Sequence, residues 1–114
     1  MSGKKVTILG GGNTAFSVAA QLSHMGNEIC LLEHPSFAQS VEQIARVKEI
    51  NLDGVMEKGP APISKVTLDP KEAFDFSNTV LLIVPAYAHR PFAEFCGPYL
   101  TKNHTCLLYT SDAA

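Results

Sequence analysis

Lys4-Lys5-Val6-Thr7-Ile8-Leu9-Gly10-Gly11-Gly12-Asn13-Thr14-Ala15 is the stretch on which the fold of this chain turns. Val6 to Leu9 is β-branched and apolar, the composition of a strand covered on both faces, and a glycine turn follows at once. Behind the turn the period changes. Ala15, Phe16, Val18, Ala19, Ala20, Leu22 and Met25 are distributed as on a helix lying against a sheet, with Gly26 as its C-terminal cap. Glu28-Ile29-Cys30-Leu31-Leu32-Glu33 returns to a continuous apolar run. Strand, tight turn, helix and strand within about thirty residues make a βαβ unit with two parallel strands.

The pattern repeats toward the C-terminus. Ser36 is expected to cap a second helix with Phe37, Val41, Ile44 and Ala45 on one face, fading near Lys48. From Glu49 to Asp69 the chain alternates and turns, which predicts short strands, at least one of them in the main sheet. Asp69 and Pro70 mark the cap and first residue of a short helix. Thr79-Val80-Leu81-Leu82-Ile83-Val84 is the most apolar strand and stops at Pro85, and a helix from about Ala88 to Leu100 follows, broken near Gly97-Pro98. Strands alternating with helices predict an α/β fold of Rossmann type: a doubly wound, mainly parallel sheet with helices on both faces, here incomplete.

Gly10-Gly11-Gly12-Asn13-Thr14-Ala15 has the form G-x-G-x-x-A. Gly10 allows the sharp exit from the strand, Gly12 lets a pyrophosphate approach the backbone, and Ala15 lets helix and strand pack closely. The amides of Asn13 and Thr14 open a helix whose dipole favours the same anion. Glu33, at the end of the second strand, stands where a carboxylate accepts hydrogen bonds from the adenosine ribose. It also repels a 2′-phosphate, and His34, Pro35 and Ser36 include no Arg to receive one, so NAD is expected ahead of NADP. The loop by itself is a weak signal; a strand before it, a helix after it and an acid on the next strand supply the confirming context.

Val84-Pro85-Ala86-Tyr87-Ala88-His89-Arg90 leaves a central strand at the same sheet edge, where Pro85 and Ala86 present little side chain toward a cofactor. His89 is read as a packing or capping residue before a proton-transfer group, and Arg90 as a solvated helix-start arginine. With Ile8 to Ala15 and Gly26-Asn27-Glu28-Ile29, the Val-Pro-Ala-x-Ala-His segment resembles the N-terminal NAD(P)-binding domain of opine (octopine and nopaline) dehydrogenases, from Lys4 to Leu100. That resemblance implies reductive condensation of an amino acid with an α-keto acid such as pyruvate, with the catalytic histidine and its acidic partner on a second domain. No catalytic residue therefore transfers. The cofactor contacts that do are Gly10, Gly12, Asn13, Thr14, Ala15, Glu33, Pro85 and Ala86. Two alternatives stay open: a dehydrogenase of the glycerol-3-phosphate or ketopantoate reductase type, and an NAD-sensing module without turnover.

Cys106-Leu107-Leu108-Tyr109-Thr110-Ser111-Asp112-Ala113-Ala114 resembles the translation of a transposase adapter used in sequencing libraries. Residues 1–105 are accordingly expected to be a truncated nucleotide-binding domain and residues 106–114 a non-native tail, with the catalytic domain absent. Such a fragment is expected to leave an apolar edge beside Thr79 to Val84 uncovered and to be aggregation-prone. With 46% hydrophobic residues the chain has enough apolar material for a core. A net charge of -2 provides no basic field for nucleic acid. No apolar stretch suits a signal or a membrane span, so the expected compartment is the cytoplasm. Cys30, Cys96 and Cys106 lack metal-type spacing and read as reduced, buried thiols. Small-molecule substrates are the expected partners, and the oligomeric state is not legible.

Overall fold

The computed structural model describes residues 3–10, 13–50, 61–85 and 89–111. Strand β1 (Lys5–Leu9) runs into helix α1 (Asn13–His24), which ends at Gly26 with φ 96° and hands over to β2 (Glu28–Leu32). β1 and β2 are parallel, in register from Lys5 opposite Glu28 to Leu9 opposite Leu32. The remaining main-sheet strands are β5 (Lys65–Thr67), β6 (Thr79–Pro85) and β7 (Thr105–Ser111), giving the order β5-β2-β1-β6-β7 with every pairing parallel. A separate antiparallel pair, β3 (Glu49–Ile50) and β4 (Ala61–Pro62), contributes Ile50 and Ala61 to the core.

Alternation along each strand assigns side chains to two layers. Val6, Ile8, Ile29, Leu31 and Ile83 meet Ala15, Ala19 and Ala20 of α1 on one face. Leu9, Cys30, Leu32, Val80 and Leu82 meet the other face's helices, α3 (Pro70–Phe76) through Ala73 and Phe74 and α4 (His89–Cys96) through Phe92 and Cys96. Small residues on α1 let that helix lie close to the sheet, whereas the opposite layer is filled by aromatic rings. The architecture is thus the doubly wound α/β fold, a parallel sheet between two helical layers, expected from the strand and helix pattern.

Buried polar groups tie the layers together. Thr7, fully buried, donates from Oγ1 to the Ala73 carbonyl at 2.7 Å, and Ser77 donates from Oγ to the Lys5 carbonyl. Each bond joins β1 to α3 or its end across more than sixty residues of chain. α3 is built as expected: Asp69 accepts from the Lys71 amide at 2.9 Å, and Pro70 occupies the first position.

Three expectations are corrected. The segment after β2 is not one helix capped by Ser36 but a 3-10 helix over Pro35–Val41 followed by α2 (Glu42–Val47). The cap is His34: Pro35 has no N–H and keeps His34 extended, so the first amide needing an acceptor is that of Ser36, which the His34 ring reaches at 3.0 Å. The edge beside β6 is not uncovered, because β7 pairs with it from Thr79 opposite Thr105 to Pro85 opposite Ser111. Cys106 is exposed, not buried, while Cys30 and Cys96 are buried as expected. The helix near the C-terminus breaks where Gly97-Pro98 predicts, α4 giving way to a 3-10 turn over Gly97–Tyr99.

Candidate functional site

The strand order fixes where a ligand can enter. From β1 the chain moves outward to β2 and β5, then returns to the other side of β1 for β6 and β7. The connections leave β1 and β6 in opposite directions, and the gap between their carboxyl ends is the topological switch point at which open parallel sheets bind ligands. Gly10 follows β1 at this edge, Pro85 ends β6, and α1 starts at Asn13.

Gly10 has φ 124°, a conformation that L side chains rarely adopt, and its amide donates to the Leu32 carbonyl at 3.0 Å. That bond continues the β1–β2 ladder one residue past Leu9 and places Gly10 beside Glu33. Asn13, Thr14 and Ala15 are the first three residues of α1, whose opening N–H groups cannot be satisfied from within the helix. Ala15 is fully buried against the sheet, the close packing expected of the third small residue in the motif. Gly12 and Ala86 lie outside the described residues. The site residues that can be located thus gather at one edge, and the arrangement suits an anion on the helix start with a carboxylate one strand away.

Glu33 is only 3% exposed, so it is not a solvated strand end. Its amide donates to the Thr67 carbonyl at 3.2 Å, extending the pairing with β5. Its Oε1 accepts from the His34 amide at 2.9 Å, which partly offsets the cost of burying a carboxylate. Arg90 has a side chain 90% exposed and is 3.3 Å from Glu94 one turn on, as a solvated helix-start arginine should be. His89 is the first residue of α4.

His34 is the residue whose place the sequence did not reveal. Its ring lies 4.7 Å from Phe95 and 6.0 Å from Phe92, centroid to centroid, bridging the end of β2 to α4. The available signal was the i, i+3 pair of phenylalanines on α4, which faces the same layer as the residue after β2. The two buried thiols offer no nucleophile: burial pushes Cys30 and Cys96 up to about 12. Among the described residues no group of His, Cys, Asp and Glu is arranged to hold a metal ion, and no helix is long and apolar enough to cross a membrane.

A parallel α/β sheet with Gly10 and a helix start at its switch point defines a dinucleotide-binding class of domain. Residues 5–105 match the family model described as NADP oxidoreductase, coenzyme F420-dependent, and the chain belongs to that family. It is 33% identical over 100 residues to glycerol-3-phosphate dehydrogenase [NAD(P)+] of Bacillus subtilis, covering 88% of this chain and 28% of the relative. It is 30% identical over 115 residues to the opine dehydrogenase of Haliotis discus hannai, covering 90% and 28%. Octopine dehydrogenase solved with NADH and pyruvate superposes with a TM-score of 0.72 at 27% identity, covering 90% of this chain and 28% of that one. The chain therefore spans a little over a quarter of the length of these relatives.

Proposed function

We propose that this chain is the cofactor-binding domain of an NAD(P)-dependent opine dehydrogenase. The observation that carries the reading is the meeting of Gly10, the start of α1 and buried Glu33 at one sheet edge, set by the β1–β2 register and the Gly10–Leu32 hydrogen bond. In it, Gly10 and Gly12 let the pyrophosphate reach the backbone, and the amides of Asn13, Thr14 and Ala15 hold its charge. Ala15 brings α1 against the sheet, Glu33 takes the ribose hydroxyls, and Pro85 and Ala86 line the nicotinamide side. The bound dinucleotide supplies hydride. NAD is the preferred form on the strength of Glu33, although the family description names NADP.

The substrate half of the reading is an amino acid joined to an α-keto acid, acting in the cytoplasm on a separate domain that brings the catalytic groups. The likeness to octopine and opine dehydrogenases supports it. A second reading, reduction of a phosphorylated ketone, is favoured by the 33% identity to glycerol-3-phosphate dehydrogenase. Within the same proposal, residues 106–114 are foreign to the family domain. The family match ends at Thr105, one residue before the adapter-like run begins.

The deciding experiment follows NADH oxidation by the longer gene product with pyruvate plus an amino acid, and separately with dihydroxyacetone phosphate. Turnover with the first pair supports the opine reading. Turnover with the second alone replaces it, and binding of NADH with neither turnover supports a sensing module.

A further inference from the structure

We propose that Thr67 is a positioning residue for the cofactor site: it clamps, from the β5 side, the peptide from which Glu33 leaves the sheet. The inference rests on the reading of Glu33 as the ribose-binding carboxylate.

The geometry starts from one peptide unit. The Leu32 carbonyl and the Glu33 amide belong to the same planar trans group, so in a strand they point to opposite neighbours. The Gly10 amide donates to that carbonyl at 3.0 Å, and the Glu33 amide donates to the Thr67 carbonyl at 3.2 Å. The peptide entering Glu33 is thus held by the end of β1 on one side and the end of β5 on the other. Its tilt sets the direction in which the Glu33 side chain departs. Oε1 of that side chain has a fixed point of its own, the His34 amide at 2.9 Å.

The two halves of the clamp are secured differently. Gly10 follows a strand paired with β2 over five residues, from Lys5 opposite Glu28 to Leu9 opposite Leu32. β5 is the outermost strand on its side of the sheet and is paired only from Cys30 opposite Lys65 to Leu32 opposite Thr67. So short a ladder holds its own end poorly, and the Thr67 side chain takes over. Thr67 is buried, and its Oγ1 accepts from the Asp69 amide at 3.0 Å while donating to Glu72 Oε2 at 2.9 Å. The first bond closes the turn out of β5. The second ties that turn to α3, the helix that Asp69 caps. Lys65, at the start of the same strand, stands 3.7 Å from Glu72 and holds its carboxylate from the other side.

A hydroxyl locked in this way fixes the Thr67 backbone, and with it the carbonyl that meets Glu33. Asp69 and Glu72 are exposed, so water replaces what they lose when the hydroxyl is removed. The cost therefore falls on the direction of the clamp more than on stability. Hydrogen bonds weaken steeply as their angles open, and a swing of the Leu32–Glu33 peptide is felt where the carboxylate meets the ribose hydroxyls.

The test is a double-mutant cycle on the 114-residue chain. It is read as the Kd for NADH by nicotinamide fluorescence, at a temperature where circular dichroism shows every variant folded. Thr67→Val keeps the volume and removes both side-chain bonds; it is expected to weaken NADH roughly fivefold, the scale of one hydrogen bond. Thr67→Ser restores the hydroxyl and is expected to return the affinity to within about twofold of the unsubstituted chain. With Glu33→Ala in place there is no carboxylate left to aim, and adding Thr67→Val is expected to change Kd by less than about twofold. Thr7→Val removes a buried hydroxyl elsewhere, serves as the control for lost stability and is expected to leave Kd unchanged. Three results overturn the positioning role and leave the cofactor site standing: no weakening by Thr67→Val, equal weakening with and without the Glu33 side chain, or the same weakening by Thr7→Val. Glu33→Ala binding NADH as tightly as the unsubstituted chain overturns the reading of Glu33 on which the role rests. Failure of the unsubstituted chain to bind NADH overturns the cofactor site itself.

Discussion

Gly10 and Leu32 are joined by a backbone hydrogen bond of 3.0 Å at the carboxyl edge of the sheet, and this bond sets Gly10 beside the acid that follows β2. Gly10 must make it with φ 124°. Gly10→Ala forces a Cβ into that conformation at a cost of about 1–3 kcal/mol and, on the proposed function, distorts the turn that leads to the pyrophosphate site. The expected result is a melting temperature lower by roughly 5 °C or more in thermal circular dichroism. NADH affinity should be lost well beyond what the unfolded fraction explains. Binding unchanged at temperatures where the variant is folded would remove Gly10 from the site.

Glu33→Gln keeps the shape and an oxygen for the His34 amide but removes the charge. The hydrogen bonds of a carboxylate to ribose hydroxyls exceed those of an amide by about 1–2 kcal/mol, so NADH should bind roughly tenfold more weakly. NADPH, relieved of repulsion, should weaken less or gain. Parallel fluorescence titrations with both cofactors measure this, and equal losses for the two would show that Glu33 does not read the ribose.

How much of this was legible follows from where the information resides. β1, α1, β2 and the turn between them could be read locally, because parallel strands covered on both faces are continuous apolar runs and the glycine motif is contiguous. The same is true of Asp69 and Pro70 at the start of α3. His34 could not be read this way. Its cap on Ser36 depends on Pro35 holding the backbone extended, and its packing on Phe92 and Phe95 depends on α4 returning to the same layer more than fifty residues later. The second helix was misjudged because Phe37, Val41 and Ile44 are spaced acceptably for one α-helix as well as for a 3-10 turn and a short α-helix. Cys106, Leu107, Leu108 and Tyr109 are apolar or aromatic, as a strand allows, and pairing with β6 is a tertiary event that composition did not declare.

Thr7→Val tests the internal tie between β1 and α3. The valine fills the same volume, but the Ala73 carbonyl loses the donor it meets at 2.7 Å in a fully buried position. Loss of one partner of a buried bond costs about 1–2 kcal/mol. Urea denaturation should show a lower midpoint with an unchanged slope. Thr7→Ser keeps the hydroxyl and should recover part of the difference; a Val variant as stable as the parent would mean the bond contributes nothing net.

Removing residues 106–114 probes the edge that β7 covers. Without the strand, β6 presents unpaired N–H and C=O groups along an apolar run, the template for pairing with another chain. Size-exclusion chromatography with light scattering should show the shortened chain as oligomers or aggregate where the 114-residue chain is smaller. A shortened chain that stays as small and melts at the same temperature would show that β7 contributes nothing to the sheet, the result expected if the tail only occupies a place meant for another strand without stabilising it.

The thiols give a prediction for pH. Burial pushes Cys30 and Cys96 from 9.0 up to about 12; for Cys30 the nearby Lys65 opposes this. Below pH 9 both states of the protein hold these protons and stability does not depend on them. Between about 9 and about 12 the unfolded chain has released protons that the folded chain retains, so fewer are bound in the unfolded state and stability falls as pH rises through that window. Urea midpoints at about pH 8, 9.5 and 10.5 should therefore decline, and Cys30→Ala with Cys96→Ala should flatten the decline even though the two cavities lower every midpoint. Alkylation gives the kinetic counterpart: at neutral pH the folded chain should take one label, on exposed Cys106, and the denatured chain three. Rapid labelling of Cys30 or Cys96 in the folded chain, or a decline in stability that survives the double substitution, would show that these protons are not held by burial.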